Sequence, residues 1–232
     1  MKKLALFDLD HTLLPIDSDF EWGQFLVRKG LVDGALFAQR NEVFYAQYKA
    51  GTLNIHEFLD FILAPLAAHS RDELDRLHEE FMHTVITPNI TQAARDLVSQ
   101  HQDDGALTCI VTATNTFVTG PIASAFGVPY LIGTIPATEN DMPNGRFTGK
   151  VKGQPSFREG KIARTLDWLK QLDMSMDSFS ASWFYSDSIN DQSLLEQVTH
   201  PVATNPDDQL RQIAQQKNWR ILELFGDRHS TH

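Results

Sequence analysis

Two carboxylates near the start of the chain have the type and spacing of a reactive pair. Asp8 and Asp10 directly follow a short apolar run and are separated by one residue. Side chains alternate between the two sides of a strand, so both would lie on one side of a strand that ends here. Open α/β sheets bind their ligands at the carboxyl ends of their strands. One carboxylate could then bind a metal ion or attack an electrophile while the other moves a proton.

Two further segments supply groups that bind anions. Thr112 ends another apolar run, and Ala113 follows it where a helix is predicted to begin and backbone amides can bind negative charge. Arg158 and Lys161 lie near the start of a later predicted helix and provide cations. Each residue taken alone is a weak signal, because Thr112 is also a typical buried strand residue and other lysines could take the same role. The rival lysines are Lys150, Lys152 and Lys170.

A fourth segment again places acids after an apolar run. Asp187 and Asp191 follow the predicted strand 182–186, although Asp191 could also be an acid that stabilises the first turn of a helix. Together the four segments offer carboxylates for a hard cation, and a hydroxyl, amides and a lysine for a phosphate group. This combination favours phosphoryl transfer, in which positioning and charge neutralisation dominate catalysis.

These residues require a fold that brings the ends of several strands together. Apolar runs alternate with segments of helical spacing, which predicts a parallel sheet with helices on both faces. We therefore expect an α/β fold with a doubly wound, Rossmann-like core. Strands are predicted at residues 3–8, 106–112, 129–134, 182–186, 200–204 and 219–224, and helices at 116–126, 158–172, 190–197 and 207–216.

One long segment between the first two strands has a different pattern. Residues 16–102 show helical spacing for four or five helices and no convincing strand. We predict a core formed by residues 1–15 and 103–232, and a helical cap of residues 16–102 that determines substrate specificity at the carboxyl edge of the sheet. An Asn-Gly pair within residues 134–151 indicates a hairpin or flap.

The overall composition restricts the classes of partner. The 232 residues carry a formal net charge of −10 and no basic run, which argues against nucleic acid or an anionic membrane surface as a partner. No uncharged segment approaches the roughly 20 apolar residues of a membrane span, and the first apolar run is too short for a signal peptide. The single cysteine, Cys109, excludes an intrachain disulfide framework. We predict a cytoplasmic protein, monomeric or homodimeric, with a frayed tail that includes His229 and His232.

The four segments, in their order along the chain, resemble the four motifs of the haloacid dehalogenase superfamily. The closest pattern is that of subfamily IB, which includes phosphoserine phosphatase, and the resemblance covers essentially the whole chain. An α-helical cap of the C1 type, inserted between the first and second motifs, belongs to the same pattern. The matching residues are Asp8-Leu9-Asp10-His11-Thr12, Thr112-Ala113-Thr114-Asn115, Arg158-Glu159-Gly160-Lys161 and Tyr185-Ser186-Asp187-Ser188-Ile189-Asn190-Asp191.

The resemblance implies a phosphatase that forms a covalent intermediate. Asp8 would be the nucleophile that becomes an aspartyl phosphate. Asp10 would protonate the leaving oxygen and then act as a base on the hydrolytic water. Thr112 and the amide of Ala113 would bind phosphate oxygens, and Lys161 would neutralise both the nucleophile and the phosphate.

The resemblance also implies Mg²⁺ as the cofactor. Asp8, the backbone carbonyl of Asp10 and Asp187 would be its ligands, because Mg²⁺ prefers oxygen ligands. Asp191 would position the waters of the metal or hold Lys161. No pair of histidines at helical ligand spacing lies beside a catalytic acid, so a zinc site is disfavoured.

The substrate is expected to be a small phosphorylated metabolite, and two acids in the cap indicate that it carries an amine. Asp17 falls where phosphoserine phosphatases keep an acidic residue that binds the substrate ammonium, and Asp19 is close enough to be the alternative. Arg158 is a further candidate for binding a substrate anion. Phosphoserine, histidinol phosphate or a phospho-amino alcohol would fit. Two residues depart from the family pattern, since His11 replaces a small residue and Ser186 replaces a glycine.

Other functions remain open on the sequence alone. An acceptor alcohol could replace water, which would make the protein a phosphotransferase. A phospho-acceptor or binding module would use the same pocket without turnover, although Asp10 favours turnover. Dehalogenation is disfavoured, because the dehalogenases of this superfamily need neither the second acid nor a metal.

Overall fold

A six-stranded parallel sheet forms the centre of the protein, and a two-stranded hairpin lies beside it. The computed structural model describes residues 2–225, so His229 and His232 of the predicted tail lie outside the described residues. The strands are β1 (Lys3–Phe7), β2 (Ala106–Asn115), β3 (Tyr130–Thr134), β4 (Pro136–Thr138), β5 (Phe147–Val151), β6 (Ala181–Ser186), β7 (His200–Thr204) and β8 (Arg220–Leu222).

Helices connect these strands and fill the long segment between β1 and β2. They are α1 (Ser18–Arg28), α2 (Gly34–Lys49), α3 (Ile55–Ala68), α4 (Arg71–Phe81), α5 (Thr87–Asn89), α6 (Gln92–Asp103), α7 (Thr116–Ala125), α8 (Glu159–Gln171), α9 (Gln192–Leu195) and α10 (Asp208–Lys217). A π-helical segment, Met82–Ile86, joins α4 to α5. Within residues 2–225, none of the helices has the length and apolar character needed to span a membrane.

The strand order is β3-β2-β1-β6-β7-β8, and every pair in this sheet is parallel. The chain therefore builds outward from β1 in one direction and then crosses to build outward in the other. This confirms the predicted doubly wound α/β fold. In such sheets the ligand site lies at the carboxyl ends of the strands where the order reverses, which here is the end of β1.

Strand β1 is buried on both faces. Ala5 and Phe7 belong to the apolar core on one side of the sheet, and Leu4 and Leu6 belong to the core on the other. All four side chains are fully buried, as expected for a parallel strand covered by helices on both sides. The apolar run ends at Phe7, so Asp8 and Asp10 follow at the carboxyl edge of the sheet, while Leu9 between them stays in the core.

The hairpin predicted within residues 134–151 is present. Strands β4 and β5 pair in an antiparallel manner, and β5 packs against α3. Gly149 has a positive φ of 74° and lies so close to α3 that an added Cβ would be 3.3 Å from the Cβ of Ala67. The guanidinium of Arg146 also donates to the carbonyl of Ala67. The hairpin is therefore attached to the helical insertion as well as to the sheet.

The insertion between β1 and β2 is helical as predicted, but it contains six α-helices, α1 to α6, and not four or five; α5 has only three residues. Helix α6, the last before β2, packs against β2, and Arg95 on it donates to the carbonyl of Ala125 at the end of α7. The division of the chain into a core and a cap of residues 16–102 stays a prediction, with α6 lying beside the sheet.

Three local predictions of secondary structure differ from the structure, and the first is the strand 219–224, of which β8 occupies only Arg220–Leu222. Strand β2 continues to Asn115, past the predicted end at residue 112, because a register shift between Val111 and Asn115 keeps the extra residues alongside β3. The predicted helix 190–197 is a 3-10 turn, Ile189–Asp191, followed by the short helix α9.

A buried histidine in the insertion makes the fold sensitive to acid. His78 packs among aromatic rings that include Trp22 and Phe117, and its Nε2 lies 2.9 Å from the carbonyl oxygen of Val118. Burial lowers the pKa of His78, so the folded state keeps the ring neutral at a pH where the unfolded chain takes up a proton. Stability is therefore complete above the unfolded pKa of about 6.5 and falls as the pH drops below it.

We expect the contribution of His78 to the free energy of unfolding to decrease between pH 7 and pH 5, by at most about 1.4 kcal/mol per pH unit, while the raised pKa values of Asp8, Asp10 and Asp19 act in the opposite direction. Burial also lowers the pKa of His101, which acts in the same direction as the lowered pKa of His78. Urea unfolding at several pH values measures the slope, and in His78→Gln the free energy of unfolding should fall less, or rise more, between pH 7 and pH 5 than in the unchanged protein. His56→Gln, which replaces an exposed histidine, is the matched control. An unchanged slope in His78→Gln would contradict this assignment.

Candidate active site

A buried lysine joins two carboxylates at the carboxyl edge of the sheet. The Nζ of Lys161, in the first turn of α8, lies 2.9 Å from Oδ1 of Asp8 and 2.6 Å from Oδ2 of Asp191. All three residues are buried. The rival residues Lys150 and Lys152 form ion pairs elsewhere, with partially exposed surface aspartates. The structure therefore brings Lys161, and neither of these two lysines, to the predicted nucleophile.

Burial and charge act in opposite directions on this group of three residues. Burial raises the pKa of Asp8 to about 7, while the ammonium of Lys161 acts to lower it and the carboxylate of Asp191 to raise it. Burial alone would lower the pKa of Lys161, but the charges of Asp191 and Asp8 more than offset this effect and raise it. Lys161 is therefore an ammonium ion. It stabilises the charge on Asp8 that a nucleophile requires.

Asp191 is held in place by a residue that departs from the family pattern. The hydroxyl of Ser186, the last residue of β6, donates to Oδ2 of Asp191 over 2.7 Å. That oxygen also accepts the bond from Lys161, so one carboxylate oxygen has two donors. Ser186 thus holds the side chain of Asp191 in position, and Asp191 in turn holds the ammonium of Lys161. The sequence marked this position only as a departure, because the hydroxyl could not be assigned a partner there.

Both side-chain oxygens of Asp10 accept hydrogen bonds. The backbone N–H of Ser18 donates to Oδ1, and the hydroxyl of Thr114 donates to Oδ2, each over 2.7 Å. Burial raises the pKa of Asp10, and the nearby charge of Asp17 adds to the effect. Such a carboxyl holds a proton more readily than an exposed one, as a proton donor requires. The spacing of residues in the sequence does not indicate the contributions of Ser18 and Thr114.

A tight turn follows Asp10 and explains the second departure from the family pattern. His11 has a positive φ of 58°, and its carbonyl oxygen accepts a hydrogen bond from the side chain of Asn205. The amides of Thr12, Leu13 and Leu14 then bond to the carbonyl oxygen of Leu9. A positive φ favours small residues, but histidine is among the larger residues that tolerate it.

The predicted phosphate-binding residues lie at the end of β2. Phe7 of β1 pairs with Ile110 of β2, which places Thr112 beside the residues that follow β1. Thr112 is buried, and its hydroxyl oxygen accepts a bond from the amide of Thr114. The carbonyl of Ala113 accepts a bond from Thr134 on β3. The phosphate-binding roles of Thr112 and Ala113 remain predictions.

The donor set suits the cation that the family pattern implies. Asp187 follows β6, and the hydroxyl of Thr12 donates to its Oδ1 over 3.3 Å. Among residues 2–225, no group of three or more His, Cys, Asp and Glu side chains is arranged to hold a metal ion. The predicted ligands include only two side chains, those of Asp8 and Asp187, together with the backbone carbonyl of Asp10. Oxygen ligands of this kind, in a region where carboxylates outnumber the ammonium of Lys161, fit Mg²⁺.

The three predicted substrate-binding residues occupy different environments. Asp17 is the N-cap of α1, and its carboxylate accepts bonds from the amides of Asp19 and Phe20. Asp19 accepts a bond from the side-chain amide of Asn115, at the end of β2. Burial, with the charges of Asp17 and Asp10, raises the pKa of Asp19 well above its usual range. Asp19 is therefore the acid that the structure connects to the strand ends.

Arg158 joins the helical insertion to the loop that carries Asp187. Its guanidinium donates to the side-chain oxygen of Asn190 over 2.9 Å and to the carbonyl oxygen of Gly51, just beyond α2, over 3.1 Å. The hydroxyls of Tyr48 and Ser188 form a second link between the same regions, at 2.7 Å. The proposed role of Arg158 in binding a substrate anion remains a prediction.

Comparison with known protein families shows which family this chain belongs to. The model of the haloacid dehalogenase-like hydrolases matches residues 5–196, which include all four motifs. The chain belongs to this family. The resemblance seen in the sequence is thereby confirmed, and the protein is a haloacid dehalogenase-like hydrolase in which the motif acids and Lys161 lie together at the end of the central strand.

Similar proteins cover nearly the whole hydrolase. A histidinol-phosphatase of Neisseria meningitidis serogroup C (strain 8013) is 46% identical over 97% of this chain and 100% of its own length. A protein of unknown function from Bordetella pertussis Tohama I has a crystal structure that is 49% identical, with a TM-score of 0.91 over 97% of this chain and all of its own. A substrate-bound phosphoserine phosphatase shares the fold, with a TM-score of 0.65 at 16% identity over 96% of this chain and 93% of its own.

Proposed function

We propose that this phosphatase of the haloacid dehalogenase family is a Mg²⁺-dependent phosphomonoester hydrolase that forms an aspartyl phosphate. The observation that supports it best is the buried contact of Lys161 with Asp8, because it keeps a charged carboxylate available at the carboxyl end of the central strand. Asp10 lies two residues further on, with both oxygens held. The site thus contains a nucleophile, a cation beside it and a separate proton donor.

The first half of the reaction transfers the phosphoryl group to the protein. A carboxylate oxygen of Asp8 attacks phosphorus, and the bond from phosphorus to the ester oxygen breaks. The leaving oxygen takes the bonding electron pair and accepts the proton of the Asp10 carboxyl. An alcohol leaves, and the protein then carries an aspartyl phosphate on Asp8 and a carboxylate on Asp10.

The second half returns the protein to its starting state. The carboxylate of Asp10 accepts a proton from a water molecule, whose oxygen attacks phosphorus. The bond between phosphorus and the Asp8 oxygen breaks, inorganic phosphate leaves, and Asp10 is again protonated. Lys161 remains an ammonium ion throughout and balances the charge on Asp8 or on the phosphoryl group.

Asp8, Asp187 and the backbone carbonyl of Asp10 would hold the Mg²⁺ ion. When bound, it supplies positive charge that offsets the repulsion between the phosphate and the carboxylates of the site. Thr112 and the amide of Ala113 would bind phosphate oxygens at the end of β2.

We infer that the substrate is a small metabolite that carries an amine. Support comes from the half-buried carboxylate of Asp19, which lies near the charges of Asp10 and Asp17, and from the similar Neisseria protein, which is a histidinol-phosphatase. A bound ammonium group would offset the cost of charging Asp19 in this half-buried place. The helical cap of residues 16–102 would thus select the substrate. We further propose a cytoplasmic monomer or homodimer that binds neither nucleic acid nor membranes.

Removing the charge of Asp19 should impair amine-bearing substrates selectively. In Asp19→Asn, kcat/KM should fall about 10-fold to 100-fold for histidinol phosphate or phosphoserine, since a hydrogen bond to a charged group contributes about 1.5–3 kcal/mol. The value for glycerol phosphate, which has no amine, should change little. Phosphate release with Mg²⁺, and with a chelator as control, measures both.

Asp17→Asn is the matched control for this variant. Asparagine caps a helix as well as aspartate does, so α1 keeps its N-cap while the charge is lost. If Asp17→Asn shows the selective loss and Asp19→Asn does not, Asp17 is the ammonium-binding residue. If both variants lose activity equally on all esters, neither acid binds the ammonium group of the substrate.

A further inference from the structure

Thr114 contacts the proposed proton donor, although the resemblance gives this residue of the second motif no role. Its hydroxyl lies 2.7 Å from Oδ2 of Asp10, and the side chain is buried. Its backbone amide donates to the hydroxyl oxygen of Thr112, the proposed phosphate-binding residue, over 3.1 Å. One residue thus contacts the groups assigned to the leaving oxygen and to the phosphate.

The local backbone explains how Thr114 reaches Asp10. Val111 of β2 pairs with Ile132 of β3, and Asn115 pairs with Thr134, so β2 uses more residues than β3 over this stretch. Such an irregularity changes the direction of side chains near the end of a strand. Gly133 of β3 lies directly against it, because an added Cβ there would be 2.9 Å from the carbonyl oxygen of Thr114.

The two groups that donate to Asp10 are chemically different, and this difference distinguishes the two oxygens of its carboxyl group. The amide of Ser18 can only donate, so Oδ1 of Asp10 stays an acceptor whether or not the carboxyl is protonated. A hydroxyl can donate or accept, so Thr114 can remain bonded to Oδ2 in both states. Oδ2 can therefore carry the proton of the neutral carboxyl and keep its hydrogen bond to Thr114.

We propose that Thr114 is a positioning residue that holds Oδ2 of Asp10 as the atom that gives its proton to the leaving oxygen. This inference rests on the proposed function, in which Asp10 is the proton donor. During the first half-reaction the proton moves from Oδ2 to the ester oxygen as its bond to phosphorus breaks. The hydroxyl of Thr114 then donates to the carboxylate that remains.

The dependence of the rate on the leaving group distinguishes this role from a merely structural one. An alkyl ester needs a proton on its poor leaving oxygen, whereas 4-nitrophenyl phosphate needs little protonation. Thr114→Val should therefore lower kcat/KM for an alkyl ester such as phosphoserine by about 10-fold to 100-fold, within the range of general acid catalysis. The value for 4-nitrophenyl phosphate should fall far less. We use kcat/KM because it reports the first half-reaction only.

Two further variants serve as controls. Thr114→Ser keeps the hydroxyl and should restore the loss on the alkyl ester. Thr119→Val removes the hydroxyl of another buried threonine, which donates to the backbone carbonyl of Asn115 at the end of β2, and should show no selectivity between the two esters. Activity on the aryl ester shows that each variant is folded.

Asp10→Asn separates the proposed role of Thr114 from the proposed role of Asp10 as proton donor. If it loses the alkyl ester selectively and Thr114→Val lowers both esters equally or neither, Thr114 is not a positioning residue and the proposed role of Asp10 stands. If Asp10→Asn hydrolyses alkyl esters as the unchanged protein does, the proposed role of Asp10 fails, and the role of Thr114 fails with it.

Discussion

Asp8→Asn is expected to abolish turnover and leave the protein folded. An asparagine amide cannot attack phosphorus to form the acyl phosphate, so kcat should fall by at least about 10³-fold, as for other enzymes that lose a covalent nucleophile. The fold should tolerate the change, because Lys161 keeps its bond to Asp191 and a neutral amide replaces a carboxylate whose pKa is raised by burial. Release of 4-nitrophenol from 4-nitrophenyl phosphate with Mg²⁺ measures turnover.

A surface variant and a thermal scan make this result interpretable. Asp103→Asn replaces an exposed aspartate at the end of α6 and should retain the unchanged turnover. The midpoint of thermal unfolding should be close to that of the unchanged protein for both variants. Comparable turnover by Asp8→Asn would exclude the covalent mechanism, and with it the assignment of the nucleophile.

Lys161→Met should be the second most damaging substitution, and it should affect both catalysis and folding. Removal of the ammonium leaves Asp8 and Asp191 buried without the cation that bonds both of them. Breaking a buried ion pair in this way typically costs about 3–5 kcal/mol of folding free energy. Turnover should fall about 10³-fold, because a protonated Asp8 cannot attack and the phosphoryl charge loses its partner.

A double variant separates the two effects. In Lys161→Met combined with Asp191→Asn, one of the two buried carboxylates that have lost their cation is also removed. Part of the lost folding stability should therefore return, whereas the activity should not. Lys170→Met, on the exposed side of the same helix, is the matched control and should change neither quantity. Urea unfolding and phosphate release measure the two effects. If Lys161→Met is as stable and as active as the unchanged protein, the ion pairs of Lys161 with Asp8 and Asp191 are not part of the site.

Much of the fold could be predicted because its signals are local. Each buried parallel strand is an apolar run that ends abruptly at a polar residue, as β1 ends before Asp8 and β6 before Asp187. Since parallel strands end at one edge, acids that follow different strands are expected to meet there. The predicted strand 200–204 has the bounds of β7, for the same reason.

The contacts of the side chains could not be predicted in the same way. Whether Thr114 reaches Asp10 depends on the irregular end of β2, which has no signature in the apolar pattern. The bond from Ser18 to Asp10 depends on the path of the chain into α1. Lys161 was distinguished from Lys150 only by the family motif, because surface lysines and buried ones look alike in sequence. Such contacts arise from tertiary packing, which local spacing does not encode.

The central position of β1 in the sheet has a consequence for folding during synthesis on the ribosome. Phe7 pairs with Ile110 on one side and with Tyr185 on the other, so β1 is synthesised well before either of the strands that it pairs with. Pairings of such long range make folding slow, because the loop between the partners must close first. A growing chain that stops before β6 has Asp8 but lacks Asp187 and Asp191. The candidate active site is therefore completed only after β6 and the loop that follows it have emerged.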